Sequence, residues 1–355
     1  MLDLVRDLVE IESPTGSPGV RAVAERLGDE LEALGARAEM IGGSHLRADL
    51  AGAGAPLLLV GHCDTVWPVG TLETMPFRID GDRAYGPGVY DMKASLVVLL
   101  DAIRRAGDGG ARRAVRVFLT GDEEVGSVSA RPFLEQAADG AAAALIVEPP
   151  TKRGDLKTAR KGIGRFRLVI AGRAAHAADP SQGASAIDEL AHQVLALKEI
   201  ADAERGITVN VGVAHGGTAE NVVAAHAEAL IDIRVRRAED RDDVERQLDA
   251  LRTVVPGTEM RLEGAWTRPP LERSPGSDTL FAQAREHGRA LGLDLREASS
   301  AGGSDGNLVA AVGVPVLDGL GAEGHGAHAR DENVLIDSLP VRAELLARLL
   351  VEPGL

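Results

Sequence analysis

The chain has 355 residues, 45% of them hydrophobic and 26% charged, which is typical of a globular protein with room for two domains. Its formal net charge of −15 argues against nucleic acids and anionic membranes as partners, and an anionic substrate would need locally placed cations. Cys63 is the only cysteine, so we expect neither an intrachain disulfide nor a thiolate-rich metal site.

The N-terminal residues do not have the pattern of a signal peptide. Residues 1–6 lack a basic region followed by an apolar core, which a signal peptide would require. No apolar run in the chain approaches the roughly 20 residues of a membrane helix. We therefore expect a cytoplasmic protein.

Strands and helices alternate in the first part of the chain, which predicts an α/β sheet covered by helices on both faces. Ser17-Pro18 begins an amphipathic helix that Gly35 ends. The apolar run 57–60, between Pro56 and Gly61, predicts a buried parallel strand. We expect further strands at 36–41, 45–50, 115–120 and 143–147, a hairpin at 77–85 that turns at Asp80-Gly81, and a helix at 92–106.

The pattern changes after Lys161. Apolar and charged residues alternate from Arg165 to Ile170, which predicts a half-exposed strand. A helix at 186–203, strands at 208–213 and 229–235, a helix at 240–251 and a strand at 260–263 complete the ferredoxin-like order β-α-β-β-α-β. The α/β pattern resumes at Ser277, with a helix to Gly292, strands near 295 and at 314–317 and a helix from 340. We therefore predict a catalytic domain at 1–161 and 269–355, into which an α+β domain at 162–268 is inserted.

Three consecutive acids, Asp122, Glu123 and Glu124, follow the strand at 115–120. Solvent usually compensates such a cluster, because carboxylates are mostly exposed. A bound cation is the alternative, because ligands bind at the carboxyl ends of strands in open α/β sheets. One acid could then hold a metal while its neighbour acts as a base.

Other ligand-type residues also lie at the ends of predicted elements. His62 and Asp64 follow the strand at 57–60 and point to the same side, so Asp64 could accept the imidazole N–H. Asp91 stands at the start of a predicted helix, where capping is the simpler interpretation, and Glu148 could be a solvated strand end. Together with a histidine of the C-terminal segment, these nitrogen and oxygen donors predict a zinc, cobalt or manganese site.

The residues described above resemble the motifs of a known enzyme family. Their order and spacing are similar to the co-catalytic zinc aminoacylase/carboxypeptidase family, which includes glutamate carboxypeptidase, acetylornithine deacetylase and succinyl-diaminopimelate desuccinylase. The segment from His62 to Lys93 most resembles the glutamate carboxypeptidase branch. The matching stretches are 61–66, 85–93, 121–126, 147–149, 172–177, 302–305 and 328–333.

The resemblance implies a zinc-exopeptidase-like fold and two zinc ions. Asp91 would bridge the two ions, and the peptide bond that follows it would be cis. His62 and Glu148 would complete one site, whereas Glu124 and His328 would complete the other. Of His325 and His328, only His328 has an acid four residues later, Glu332, as the family pattern requires.

The resemblance also assigns catalytic and substrate-binding residues. Glu123 would be the general base, Asp64 would orient His62, and His176 would stabilise the oxyanion, often from the partner subunit of a homodimer. Without the resemblance, His176 reads as an exposed loop histidine. Arg234 would grip a substrate carboxylate, although a place on a solvated sheet face fits equally well. Asn221 and Gly303 match substrate-contact positions.

These expectations describe a zinc-dependent hydrolase that cleaves an amide bond next to a free carboxylate, most similar to a glutamate carboxypeptidase. The alternatives on the same core are an N-acyl-amino-acid deacylase and a dipeptidase, so the substrate is a small peptide or an N-acyl amino acid. A non-catalytic binding protein and a scaffold are the alternatives from other classes. Retention of Glu123 beside Glu124 argues against a pure binder, which has no use for a base.

Overall fold

The computed structural model describes residues 1–108 and 113–351, which form two compact units. The first unit comprises Met1–Ala159, Glu272–Ser300 and the chain from Ser304 onward. The second comprises Arg160–Leu271 and Ala301–Gly303. The range 162–268, which we expected to be an inserted domain, lies inside the second unit.

Helices and strands alternate along most of the chain. The helices are α1 (Leu2–Glu10), α2 (Pro18–Ala33), α3 (Ala94–Asp108), α4 (Arg131–Ala138), α5 (Ala186–Glu199), α6 (Ala238–Asp249), α7 (Pro275–Ala290), α8 (Asp305–Ala311) and α9 (Ser338–Val351). The strands of the first half are β1 (Arg37–Ile41), β2 (His45–Leu50), β3 (Ala53–His62), β4 (Arg78–Asp80), β5 (Arg83–Tyr85), β6 (Arg113–Thr120), β7 (Ala143–Ile146) and β8 (Leu156–Arg160). Those of the second half are β9 (Gly162–Ala171), β10 (Thr208–Gly216), β11 (His226–Val235), β12 (Glu259–Arg268), β13 (Glu297–Ser300), β14 (Val316–Asp318), β15 (Gly324–His325) and β16 (Asn333–Leu335).

A mixed eight-stranded sheet, in the order β1-β2-β6-β3-β7-β14-β8-β13, forms the centre of the first unit. β3 runs parallel to both β6 and β7, as its apolar sequence predicted. Leu57, Leu58, Leu59 and Val60 are all fully buried. Because successive side chains point to opposite faces, both faces of the sheet are covered, and the predicted α/β fold class is confirmed. Each such side chain stabilises the fold by about 1.5–3 kcal/mol.

The predicted hairpin at 77–85 forms as β4 and β5, which pair antiparallel with Asp80 opposite Arg83. Gly81 adopts φ 60°, a left-handed conformation that glycine takes at little cost. The hairpin belongs to a second small sheet, β15-β16-β5-β4, that also contains the C-terminal segment near His325. This pairing joins two segments of the chain that both carry predicted site residues.

The second unit has the element order β9-α5-β10-β11-α6-β12, and its antiparallel sheet has the order β10-β11-β9-β12. One face of the sheet is apolar and packs against α5 and α6, with Leu168, Ile231 and Ile233 in a single hydrophobic cluster. The opposite face carries charged residues, among them Arg165 and Arg167. The predicted ferredoxin-like order is therefore present in this unit.

Some elements differ from the sequence-based expectations. The expected strand near 295 lies at β13, and the helix that was expected to reach 203 ends at Glu199. We did not predict α1, α4, α8 or β8. α8 has only seven residues, which is too short for a reliable helical period. In the described part of the chain, no helix combines the length and apolarity that crossing a membrane requires.

Candidate metal centre

Three parallel strands bring ligand-type side chains to one edge of the large sheet. β3 lies between β6 and β7, with His62 opposite Thr120 and Val60 opposite Ile146. Because parallel strands end at the same edge, the residues that follow them meet there. The side chains at this edge are His62, Glu123, Glu124 and Glu148.

Asp91 lies in an irregular turn, Val89–Lys93, that precedes α3, whereas the sequence predicted that it stands directly at the start of the helix. α3 begins only at Ala94, because the backbone of Asp91 (φ −118°, ψ 88°) is not helical. The peptide bond to Met92 is cis, as the resemblance implied. The two carboxylate oxygens face different imidazoles: Oδ1 is 3.1 Å from Nε2 of His62, and Oδ2 is 3.4 Å from Nε2 of His328.

Of the two C-terminal histidines, only His328 contacts the acids of the cluster, Asp91 and Glu124. Nε2 of His328 is 3.2 Å from Oε2 of Glu124. Nε2 of His325 instead lies 3.3 Å from Oδ2 of Asp331, and its Nδ1 lies 3.2 Å from Nδ2 of Asn333. The structure thus places His328, the histidine with an acid four residues later, beside the acids of the cluster. Its role as a metal ligand stays a prediction.

The donor set fits divalent cations. Ligand atoms of His62, Asp91 and Glu124 lie within 4.8 Å of one another, and so do those of His62, Glu123 and Glu148. Oε1 of Glu124 is buried and receives no hydrogen bond from the described residues. A buried carboxylate oxygen without a donor is costly unless a cation satisfies it.

The electrostatics of the cluster favour positive charge between the carboxylates. Burial alone would lower the pKa of His62, but hydrogen bonds with Asp64 and Asp91 raise the pKa well above its ordinary value. Hydrogen bonds with Asp91 and Glu124 raise the pKa of His328 to about 10. Burial would raise the pKa of Asp91, yet the hydrogen bonds from the two imidazoles lower it. A cation between these groups would be stabilised for the same reason.

Asp64 supports the cluster through more contacts than the single one to His62 that we expected. Nδ1 of His62 is 2.9 Å from the main-chain oxygen of Asp64 and 3.5 Å from its Oδ1, so the shorter contact of the imidazole is with the main chain. The carboxylate itself accepts the N–H groups of Glu123, at 3.1 Å, and Glu124, at 3.2 Å. The hydroxyl of Thr15 also donates to it, at 2.7 Å. Asp64 therefore holds both the histidine and the acidic loop.

Asp305, for which we predicted no role, holds both ends of the acidic loop. The hydroxyl of Thr120 donates to Oδ2 of Asp305 at 2.6 Å, and the hydroxyl of Ser127 donates to Oδ1. At the start of the same loop, His45 adds a further contact, because its Nδ1 accepts the N–H of Gly121 at 3.0 Å. The motif Gly-Gly-Ser-Asp, which ends at Asp305, was the available indication of this role.

Two further buried ionisable residues lie near Asp91. Burial lowers the pKa of Lys93 to about 7, and Nζ donates to the main-chain oxygen of Ile11 at 2.7 Å. Glu332 is fully buried and accepts hydrogen bonds from the turn that carries Asp91. From the sequence, we used Glu332 only to distinguish His328 from His325 and predicted no role for its side chain.

The second unit contains the predicted site residues His176 and Asn221 in adjoining loops. His176 pairs with Val222 in an isolated antiparallel bridge, and the N–H of Ala177 donates to the main-chain oxygen of Asn221 at 3.0 Å. The side chain of His176 is exposed, and its Nδ1 accepts the N–H of Ala178 at 3.0 Å. Nε2 therefore carries the proton of the neutral imidazole.

Arg234 and Gly303 also belong to the second unit. Arg234 lies on the charged face of the sheet, where its guanidinium donates to both carboxylate oxygens of Asp232, at 2.9 and 3.3 Å, and to the main-chain oxygen of Ala301 at 2.8 Å. A Cβ at Gly303 would lie 2.7 Å from Cδ of Arg268, so only glycine fits. The carboxylate of Asp232 thus takes two of the N–H donors of Arg234, a contact that we did not predict.

The chain matches the model of peptidase family M20/M25/M40 over residues 58–352. It is 32% identical to carboxypeptidase G2 of Pseudomonas sp. (strain RS-16) over 374 residues, which cover 100% of this chain and 89% of the relative. It is 33% identical over 236 residues to acetylornithine deacetylase of Pasteurella multocida (strain Pm70), which covers 60% of this chain and 61% of that relative. The solved structure of aminopeptidase PepT from Bacillus cereus ATCC 10987 has the same fold, with a TM-score of 0.85 and 22% identity over 100% of this chain and 98% of that chain.

These matches confirm the resemblance and the class of enzyme that it implied, a hydrolase of the metallopeptidase type. The family match begins four residues before His62 and runs past His328, so it includes every residue of the acidic and imidazole cluster. The chain belongs to peptidase family M20/M25/M40.

Proposed function

We propose that the protein is a two-metal hydrolase that cleaves an amide bond next to a free carboxylate, in the manner of a glutamate carboxypeptidase. The observation that carries the proposal is the carboxylate of Asp91, whose two oxygens face His62 and His328 separately. A single carboxylate between two imidazoles suits a pair of metals that share one ligand. The full-length similarity to carboxypeptidase G2 supports the choice of substrate class.

The proposed ligands divide between the two oxygens of Asp91. His62 and Glu148 stand on the side of Oδ1, and Nε2 of His62 is 3.8 Å from Oε1 of Glu148. Glu124 and His328 stand on the side of Oδ2. Zinc is the proposed metal, with cobalt or manganese as substitutes, because the donors are nitrogen and oxygen. When bound, such ions polarise water and the scissile carbonyl group.

Glu123 is the proposed general base. Its carboxylate lies among the ligand atoms of His62 and Glu148, and its N–H is held by Asp64. From this place Glu123 can accept a proton from the attacking water and then deliver it to the leaving nitrogen. Asp64 positions the base and His62 at the same time.

The second unit is the proposed source of the remaining groups, as a lid and dimerisation domain. The Nε2–H of His176 is preset as a donor by the N–H of Ala178, which suits an oxyanion. Arg234 is the proposed partner of the substrate carboxylate, and Asn221 and Gly303 are the proposed further contacts of the substrate. A homodimer, in which His176 serves its own site or that of the partner subunit, belongs to the proposal. So does a cytoplasmic location, where the single buried thiol of Cys63 stays reduced.

The second candidate function is an N-acyl-amino-acid deacylase or a dipeptidase. The similarity to acetylornithine deacetylase favours it, because that relative aligns with 60% of this chain at 33% identity. Both functions need the same metals and the same base. The candidate functions differ in the chemical groups of the substrate on the two sides of the scissile amide.

A substrate panel tests the proposal. Protein dialysed against chelator and reloaded with Zn²⁺ is incubated with N-acylated glutamate, peptides that end in glutamate, N-acetyl amino acids and free dipeptides, and the products are identified by mass spectrometry. We expect release of a C-terminal amino acid, fastest for glutamate, and no hydrolysis without metal. Preference for N-acetyl amino acids would favour the deacylase, and preference for free dipeptides the dipeptidase. Hydrolysis that persists without metal would contradict the two-metal proposal.

A further inference from the structure

Glu332 collects four hydrogen bonds in the interior of the first unit. Its side chain is fully buried, and each carboxylate oxygen accepts two donors. Oε2 accepts the indole N–H of Trp67 at 2.7 Å and the N–H of Gly88 at 2.9 Å. Oε1 accepts the N–H groups of Tyr90 at 2.9 Å and Asp91 at 3.0 Å. Both lone-pair directions of each oxygen therefore have a donor.

Two of these donors, the N–H groups of Tyr90 and Asp91, belong to the irregular turn that carries Asp91, and Gly88 directly precedes that turn. The turn is not regular helix, so its N–H groups cannot all find the carbonyl four residues earlier. Glu332 supplies the acceptors instead, and a buried N–H group that lost its acceptor would carry the full cost of desolvation. The conformation at Asp91 therefore depends on a side chain 241 residues away in sequence.

Glu332 is also joined to the segment of His328. The two residues are four positions apart, and the N–H of Glu332 donates to the main-chain oxygen of Ala329 at 2.9 Å. β16 begins directly after Glu332 and pairs with β5, which precedes the turn of Asp91. A single carboxylate thus connects the backbone of Asp91 with the loop of His328, and Trp67 adds the segment that follows His62.

We propose that Glu332 is a positioning residue that sets Asp91 and His328 at the separation a shared metal requires, an inference that rests on the proposed metal-binding function. Glu332 touches no reacting atom in this role. It acts by holding the N–H of Asp91 and the loop of His328 in one arrangement before any ion binds. Residues that orient ligands in this way typically change metal affinity 10–100-fold when they are replaced.

The test is metal binding by Glu332→Gln, measured by calorimetric titration of the chelator-treated protein with Zn²⁺ and with Co²⁺. Glutamine is nearly isosteric, but its amide N–H₂ opposes two of the four donors, so we expect the affinity for at least one ion to fall 10–100-fold. We also expect kcat to fall while KM changes less than twofold. Glu323→Gln is the matched control, because Glu323 is a partly exposed carboxylate of the same segment that pairs with Arg342.

Trp67→Phe is a second, milder variant for the case in which Glu332→Gln does not fold. It removes one of the four donors and leaves the carboxylate, and we expect a two- to tenfold loss of metal affinity. Unchanged metal affinity in a folded Glu332→Gln, or in Trp67→Phe if the former does not fold, would overturn the positioning role while leaving the proposed function intact. If the parent protein itself bound neither metal, the proposed function would fail and the positioning role with it.

Discussion

Glu123 and Glu124 are adjacent in the chain, yet their carboxylates lie in different surroundings. Oε2 of Glu124 contacts His328, whereas the carboxylate of Glu123 groups with His62 and Glu148. Asp64 binds both of their N–H groups and so fixes the backbone from which the two side chains diverge. At the scale of single residues, the division between a ligand and a base depends on this divergence.

Glu123→Gln should abolish most of the activity and leave the metals in place. The substitution removes the proton acceptor, so we expect kcat to fall by about 10²–10⁴-fold. Metal content, measured by atomic emission on the purified variant, should equal that of the parent. Because the carboxylate of Glu123 lies within reach of His62 and Glu148, loss of an ion would identify it as a ligand instead of a base.

His328→Ala and His325→Ala form a matched pair in one loop. His328 contacts Asp91 and Glu124, so its removal should cost one metal ion and nearly all activity. His325 contacts Asp331 and Asn333, and its removal should leave both ions bound. Metal counts on the two variants decide the assignment, and a loss confined to His325→Ala would move the ligand to that residue.

At the scale of elements, the centre depends on where β3 ends. Gly61 precedes His62 in this strand, and a Cβ there would lie 2.8 Å from Cδ2 of Leu96 and 3.1 Å from Cγ2 of Val147. Leu96 belongs to α3 and is almost fully buried, so it has little room to move. The close approach of α3 to β3 therefore requires glycine next to the histidine.

Gly61→Ala should lower the free energy of unfolding by about 1–3 kcal/mol through overpacking, and weaken metal binding because His62 moves with the strand. Gly28→Ala in α2 is the control, since a Cβ there meets its nearest atom at an ordinary 3.4 Å. That substitution should leave stability equal or raise it by up to about 1 kcal/mol. Urea denaturation and metal titration check both variants, and equal behaviour of the two would refute the packing argument.

At the scale of the whole molecule, the proposed reaction draws on both units. The acids and imidazoles of the centre belong to the first unit, whereas His176, Asn221, Arg234 and Gly303 belong to the second. Catalysis by the proposed mechanism therefore requires the second unit to act as a lid. In the second unit, the charged face of the sheet lies opposite the face that packs on α5 and α6. The charged face contains a cavity of about 540 Å³ that is bordered by Arg165, Leu230 and Asp232.

Arg234→Ala should raise KM for carboxylate-bearing substrates about 10–100-fold and leave the metal content unchanged, because one charge-assisted interaction is lost. Arg167→Ala is the control, since Arg167 also pairs with an acid, Glu228, in the same sheet. Steady-state kinetics on both variants and sedimentation of the parent test the proposal. An unchanged KM would remove Arg234 from the substrate site, and a fully active monomer would contradict the dimer.

The sequence by itself determined the α/β fold class and indicated which acids and histidines could form the centre. The apolar run 57–60, the ferredoxin-like element order and the pattern of acids and histidines at strand ends are local features, because period and composition act over a few residues. The resemblance favoured His328 over His325, because the family pattern has an acid four residues after the ligand histidine and Glu332 stands at that position. These inferences needed no knowledge of which segments meet.

Only the tertiary structure decided how these residues are held. The hydrogen bonds from the main-chain N–H of Asp91 to Glu332, from Thr120 to Asp305 and from Arg234 to Asp232 join groups whose partners depend on strand pairing and backbone conformation. In the irregular turn at Asp91, which the sequence indicated as the start of a helix, a buried carboxylate far along the chain accepts the N–H groups of Tyr90 and Asp91. Local patterns cannot reveal such partners, since a buried hydrogen bond is chosen by proximity in space and not by distance in sequence.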